Sequence, residues 1–388
     1  MQEQKKAKVL PPLSEKIGAR RVSPKALLLS AGFASRMGRC KALLDLGGSS
    51  ALERAVRSLR SGGVEEIVVV SGHYRDAVEA EARRLNCATA FNEDYGKGMF
   101  SSVQCGLKAL GDAEAFLLLP VDVPLVSPAT IGALLKAHDE GASLAYPTFS
   151  GRRGHPPLVG RSFFGAIAED DGSRGGLRAL LAEKETEARD VAVADEAILL
   201  DMDSPEDYDR LRERALRHGI PSEAECEVLW DLAGTPQGVR RHGETVAAVA
   251  DRFARALEGA LSLDRAKLRS AALVHDLARG SEDHAEEGAR ILIRWGFGTI
   301  APLVASHMVG PDDDALDEAS LLFAADKIVE GTTVVSLAIR RERMARRFAD
   351  RPSSLRGAME RLDRAESLIG AIERAAGQPL LHILGDLT

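Results

Sequence analysis

Two groups of residues in this chain have the types and spacing to do chemistry, and they lie in different halves. The first is Lys25 to Lys41, KALLLSAGFASRMGRCK. A short apolar run with strand character, Ala26 to Leu29, breaks into the small residues Ser30, Ala31 and Gly32 and is followed by Arg36, Gly38 and Lys41. Glycines let a backbone approach an anion, exposed N–H groups bind its oxygens, and spaced cations add charge-assisted bonds, so the stretch reads as a phosphate cradle. The P-loop is excluded: it needs Lys directly after Gly and then Ser or Thr, whereas Ala42 follows Lys41. An ordinary βα turn with surface cations has the same local sequence, and the rest of the chain has to decide between them. The second group is His242, the adjacent pair His275-Asp276, His284, His307 and Asp326. A lone His on an apolar helix is more often a core residue than a ligand, but here four are joined by two carboxylates. Asp326 stands in the apolar run LLFAADK, where an unpaired carboxylate is costly, so a metal is its natural partner; the donor set suits Fe, Mn or Zn.

The elements that must position these groups differ between the halves. From 25 to 217, apolar strand-like runs (ALLLS, 66–72, 115–122, 143–147, 197–203) alternate with amphipathic helix candidates at 50–61, 74–85, 101–110, 127–139, 175–184 and 204–216. Such alternation predicts an α/β domain with a mainly parallel sheet, which binds ligands beyond the carboxyl ends of its strands. Polar residues collect there: the opening loop, Gly72 after the second strand, and Asp122 after AFLLLP, placed to hold a divalent metal over phosphates. Asp203, in the acidic stretch Asp201 to Asp207, is either a helix-entry cap or a second metal ligand. Ser101 and Ser102 close a glycine-flanked loop suited to nucleobase or phosphate contacts. Arg153, Gly154, His155 and Pro156 form a basic turn.

The pattern changes at 218–222. Ser222 with Glu225 reads as a capping box, and the remainder shows three-to-four spacing of apolar residues without a convincing strand, predicting an all-α domain over 218–350 and a helical extension over 351–388. Arg340, Arg341, Arg343, Arg346 and Arg347 read as a solvated helix face. Residues 1–24 read as a basic mobile tail. The 388 residues require more than one domain, a net charge of −7 gives no general pull towards nucleic acid, and no apolar run approaches a membrane span. Four cysteines far apart, with no Cys-x-x-Cys, point to a reducing cytoplasm.

Taken together in order, the first-half motifs resemble the MobA-like nucleotidyltransferases, most closely the molybdenum cofactor cytidylyltransferases. The matching stretches are Ala-Gly-x-x-x-Arg-Met-Gly-x-x-Lys, Gly-Met-x-Ser-Ser, Asp122 followed by x-Pro-Leu, Arg-Gly-His-Pro and the closing Asp-x-Asp-Ser-Pro-Glu-Asp-Tyr. The resemblance implies a nucleotide-sugar-transferase type of sheet and Mg²⁺-dependent attack of a molybdopterin-type phosphate on the α-phosphorus of CTP or another NTP, with release of pyrophosphate. It implies triphosphate contacts from Gly32, Arg36 and Lys41, and a metal on Asp122, with Asp203 the weaker candidate. Ser30-Ala31 and the Arg153 to Pro156 turn look like the cytidylyl branch, and a client molybdoenzyme is a further partner. Pro120-Val121-Asp122 departs from the usual Gly-Asp; the carboxylate is kept while the backbone beside it changes. The second half resembles the HD superfamily of metal-dependent phosphohydrolases, with 234–242 as its first motif. That implies one metal on His242, His275, Asp276 and Asp326, a second on His284 and His307 with Asp276 bridging, and Lys327 as a phosphate contact. A nucleotidyltransferase for a sugar or alcohol phosphate, a cofactor-insertion module and a nucleotide-sensing HD domain are the alternatives.

Overall fold

The apolar run at 25–30 becomes β1 (Lys25–Ser30), buried along its whole length. The computed structural model describes residues 23–33, 38–173, 175–311 and 315–387; residues 1–22 of the expected tail, and Arg36, lie outside them. β1 pairs in parallel with β2 (Ile67–Ser71) on one side and β4 (Ala115–Pro120) on the other, and β3 (Ala88–Phe91) continues the parallel ladder beyond β2. Past β4 come β7 (Leu158–Gly160), antiparallel to its neighbours, then β5 (Leu144–Phe149), which carries the short antiparallel β6 (Arg152–Arg153) and the parallel β8 (Arg189–Ala192). The order β3-β2-β1-β4-β7-β5-β6, with β8 on β5, is the mainly parallel α/β sheet the alternation predicts. Strand order makes β1/β4 a switch point, where loops leaving two adjacent parallel strands diverge and open a crevice.

Side chains alternate across this sheet as the pleat requires. Leu27, Leu29, Val70 and Leu118 pack on one face, with α3 (Met99–Ala109), α5 (Phe164–Glu169) and α6 (Gly176–Ala182). Ala26, Leu28, Val69 and Leu119 pack on the other, with α1 (Ala51–Ser61), α2 (Arg75–Arg84) and α4 (Pro128–Asp139). α7 (Pro205–Leu216) covers a smaller cluster around Leu46 and Met202.

The 197–203 stretch does not form a strand. Buried Asp195 accepts bonds from Ser127 N (2.7 Å), Thr130 Oγ1 (2.7 Å) and Ala197 N (3.2 Å), and the last of these caps a 3₁₀ turn over Glu196–Leu199. The edge place beside β5 goes to the more polar 189–192. β3 and β8 escape hydropathy patterning because edge strands of four residues need no apolar run.

The second half is helical: α8 (Glu223–Ala233), α9 (Gln237–Ala256), α10 (Arg265–Val274), α11 (His284–Arg294), α12 (Ala301–Ser306), α13 (Glu318–Ile328), α14 (Leu337–Arg347), α15 (Pro352–Ala376) and α16 (Leu380–Leu384). Its one extended feature among the described residues is a ladder of two residues a side, β9 (Val329–Glu330) with β10 (Thr333–Val334). The Ser222–Glu225 capping box opens α8 as expected. Ile220, Cys226 and Leu229 join the same apolar cluster as Leu28 and Leu119, so the halves share continuous core. No described helix is long and apolar enough to cross a membrane.

Candidate functional site

The crevice at the β1/β4 switch point is a cavity of about 570 Å³ lined by Ser30, Ala31, Gly32, Lys41, Ser102, Asp122 and Asp203, among others. They arrive from several different elements. β1 delivers 30–32, and a Cβ placed on Gly32 would meet nothing within 4 Å, so the space above its backbone is open for a ligand. Gly72 instead serves packing: a Cβ there would lie 2.5 Å from Ala31 O, and the bare glycine lets the β1 and β2 ends close on each other. Gly38 has φ +61°, a turn conformation that suits glycine, just before Lys41.

Lys41 Nζ lies 3.3 Å from Asp122 Oδ2 and 2.9 Å from Asp203 Oδ1, which joins residues 81 and 162 positions apart at one point. Burial pulls the ammonium's pKa down, but Asp203 and Asp122 outweigh it, leaving it raised and the group charged. Asp203 is no cap. Ser204 does that work, accepting from Asp207 N in a capping box, and frees the Asp203 carboxylate to face the cleft. Burial, then Asp203 and Asp122, raise the neighbouring Asp201.

The serine pair is held by Asn92, which the motifs alone did not mark. Its buried amide donates to Ser101 Oγ (2.9 Å) and Ser102 Oγ (3.0 Å) and accepts from Asp94 N (3.0 Å). Ser102 faces the cavity, whereas Ser101 closes the loop by donating to Gly98 O and Asp94 O. Phe33, Tyr74 and Tyr95 also line the opening, with Phe33 and Tyr95 ring centroids 5.2 Å apart. In sequence they are single loop aromatics with no shared period.

The basic turn divides. Arg153 is turned to the β5/β8 edge, where it stacks 4.4 Å over Tyr146 and pairs with Asp190 (2.5 Å) and Glu185. His155 is half-buried, donates its backbone N–H to Ile198 O (2.9 Å), follows Gly154, which has no room for a Cβ, and leaves its buried Nδ1 without a partner. Burial depresses its pKa against the opposing pull of Asp122, so the ring is neutral. The His155-Pro156 peptide is cis.

The second site is assembled from turns as well as from helices: His242 lies within α9 and Asp326 within α13. Gly234, at φ +66°, ends α8; Thr235 Oγ1 then donates to Leu277 O (2.8 Å), and Pro236 caps α9, which carries His242. Gly243 has no space for a Cβ, which would lie 2.3 Å from Leu273 O; this lets α9 press on α10. His275 and Asp276 sit in the turn after α10, not within a helix; His307 follows α12 and His284 starts α11.

His242 Nε2 is 3.1 Å from Asp326 Oδ1, and His275 Nε2 is 3.5 Å from the same oxygen. Asp276 faces two ways, Oδ2 toward His275 (3.6 Å) and Oδ1 toward His284 (3.3 Å) and His307 (3.6 Å). The Nδ1 atoms of His242, His275 and His307 bond backbone oxygens of Gly331, Ala272 and Val304 at 3.0, 2.8 and 2.6 Å, so Nδ1 carries a proton and Nε2 is the nitrogen turned inward. The Nε2 atoms of His275, His284 and His307, and Asp276 Oδ1, are buried without hydrogen-bond partners. Buried acceptors converging in this way fit one or two transition-metal ions. The sets His242–His275–Asp326 and His275–Asp276–His307 each bring ligand atoms within 4.8 Å of one another.

Burial would raise both carboxyls. His307, His275 and Arg279 hold Asp276 well below the usual range, and Lys327, His242 and His275 do the same for Asp326. Lys327 thus pairs with Asp326, and also donates to His307 O (3.4 Å). A cavity of about 460 Å³ opens over His242, Asp276, His284 and Asp326.

Residues 26–189 match the MobA-like NTP transferase domain, and residues 239–330 match the HD domain. The nicotine blue oxidoreductase of Paenarthrobacter nicotinovorans is 33% identical over 192 residues, covering 48% of this chain and 94% of that protein. The molybdenum cofactor cytidylyltransferase of Escherichia coli is 25% identical over 189 residues, covering 48% of this chain and 95% of that protein. Among solved structures, a nucleotidyl transferase of Methanothermobacter is 25% identical with a TM-score of 0.45, covering 50% of this chain and 98% of that one.

Proposed function

The chain belongs to the MobA-like NTP transferase family and carries an HD domain, and from that premise we propose a bifunctional enzyme: a cytidylyltransferase acting on a molybdopterin-type phosphate, joined to a metal-dependent phosphohydrolase. The observation that carries the first half is Lys41 held between Asp122 and Asp203 at the mouth of the switch-point cavity. An acceptor phosphate oxygen attacks the α-phosphorus of CTP, forming one P–O bond while the α–β anhydride bond breaks and pyrophosphate leaves. Ser30, Ala31 and Gly32 offer backbone to the triphosphate, with Gly38 and Gly72 shaping the loop ends. Lys41, joined by Arg36, stabilises charge on the transferring group. Asp122 and Asp203 would hold Mg²⁺, which supplies charge neutralisation on the phosphates. Ser101 and Ser102 shape the nucleotide side. Gly154, His155 and Pro156 face the acceptor side, and Arg153 fixes that turn from behind.

For the second half, the unpartnered inward atoms of His275, His284, His307 and Asp276 support a metal centre completed by His242 and Asp326. Metal ions there would supply Lewis acidity and an activated water. Asp276, with its two oxygens facing different histidines, is suited to bridge.

Purified protein is given Mg²⁺, each of the four NTPs and either molybdopterin or a panel of sugar and alcohol phosphates, and pyrophosphate is followed. Release with CTP and molybdopterin supports the assignment; release only with a sugar phosphate removes it. A second reading rests on one observation: the 33%-identical relative is a nicotine blue oxidoreductase, and Phe33, Tyr74 and Tyr95 offer stacking faces for an aromatic substrate. That reading is tested separately, by following oxidation of a reduced nicotinamide donor in the presence of nicotine blue; no oxidation removes it.

A further inference from the structure

One wall of the second cavity comes from outside the HD domain. The HD match ends at 330, yet Arg340, Met344, Arg347 and Phe348 of the α14 region and Arg361 and Leu362 of α15 line the same space as His242 and Asp326. Positions 340, 344 and 347 are spaced i, i+4, i+7, which is one helix face. The arginines on the other faces of α14 are each paired: Arg341 with Asp363 and Glu366 (2.6 Å), Arg343 with Glu330, and Arg346 with Glu342 (2.5 Å). Among the described residues no carboxylate pairs with Arg340, Arg347 or Arg361. Arg340 donates from Nη1 to Val329 O (2.9 Å), and its Nε is buried without a partner. The inner cations, Arg279 and Lys327, are already engaged by Asp276 and Asp326. Among the described residues, the α14 arginines that do not line the cavity are paired with carboxylates, whereas Arg340 and Arg347, which do line it, are not. Three unpaired guanidiniums in one cavity repel each other until an anion joins them, and each is shaped for bidentate contact with phosphate.

We infer that the second site takes an organic molecule bearing two or more linked phosphates. The reacting phosphate lies over the histidine–aspartate cluster, the next lies against Arg340, Arg347 and Arg361, and the organic part rests on Met344, Phe348 and Leu362. This builds on the phosphohydrolase reading and assigns α14 and α15 the choice of substrate.

The test uses the full-length chain reconstituted with Mn²⁺ and the variants Arg340→Gln and Arg347→Gln/Arg361→Gln; the double variant leaves the Arg340–Val329 bond intact. Titration calorimetry measures tripolyphosphate and α,β-methylene-ADP against orthophosphate and AMP, and ADP hydrolysis is followed in parallel. Because these arginines lie in the second domain, differences from wild type report on the second cavity. The expected result is at least tenfold weaker binding of the linked-phosphate probes, a matching rise in KM for ADP with kcat within threefold, and orthophosphate and AMP changed by less than threefold. Equal losses for all four probes, or no loss for any, overturn the inference. Arginine-dependent binding of the linked-phosphate probes without hydrolysis of any phosphate keeps it and removes the phosphohydrolase reading instead.

Discussion

Lys41 shows how much one side chain can do in a polar crevice. Its ammonium neutralises two carboxylates that would otherwise repel each other across the mouth of the cleft, and it is raised in pKa by them despite partial burial. Lys41, Asp122 and the small residues before them were legible in the sequence because loops after apolar runs are where an α/β sheet exposes polar groups. The choice between cap and ligand for Asp203 was not, because Asp203 and Ser204 are both good caps and only the backbone at Ser204 decides which of them turns back. Asp195 was invisible for the opposite reason: nothing in VADEA marks a carboxylate that ends up 3% exposed. Burial drives its pKa up to about 6 against the bonds from Ser127 and Thr130. A carboxyl raised in the fold is more protonated there than in the unfolded chain between about 4 and 6, so its penalty is absent at acid pH and complete above about 6. In urea denaturation, the stability of wild type relative to Asp195→Asn should fall by about 2–3 kcal/mol from pH 4 to pH 7. A gap that stays constant with pH would show that folding leaves the Asp195 pKa unshifted.

At the scale of elements, the seam between the halves is made by the ends of α7 and α8. Glu225, with no exposed side-chain surface, pairs with Arg214 of α7 and accepts N–H bonds from Ser222 (2.8 Å) and Glu196 (3.0 Å). The Ser222–Glu225 capping box was readable from spacing; that its Glu would also anchor the other domain was not, because the partner is 11 residues away in a separate helix. Arg214→Ala leaves a buried carboxylate without its cation and should cost about 3 kcal/mol, whereas Arg346→Ala, which breaks an exposed pair with Glu342, should cost a few tenths at most (roughly 0.5 kcal/mol). Chemical denaturation of both variants checks this, and equal losses would mean the seam does not depend on that pair. The long apolar strands were read correctly because β1, β2 and β4 are buried on both faces. The short edge strands β3 and β8 carry no such run, and the apolar 197–200 segment is a capped 3₁₀ turn lying against β5, with Ala197 and Ile198 buried, rather than a strand of the sheet.

Over the whole molecule, two sites with different donors stand in two architectures that share a core. The histidines and aspartates that meet in the second site were conspicuous in the sequence among apolar residues; the arginine wall was not, because a helix face looks the same whether it meets solvent or a cavity until α15 is folded beside it. The central claim is that the first cleft performs nucleotidyl transfer independently of the second. The most direct test is the initial rate of pyrophosphate release from CTP, with Mg²⁺ and molybdopterin, in the wild-type chain, Lys41→Ala and His275→Ala/Asp276→Ala. The account predicts release by wild type, a loss of at least about a hundredfold in Lys41→Ala, and an unchanged rate in the double variant. No release by wild type, or its loss in the double variant alone, would contradict it.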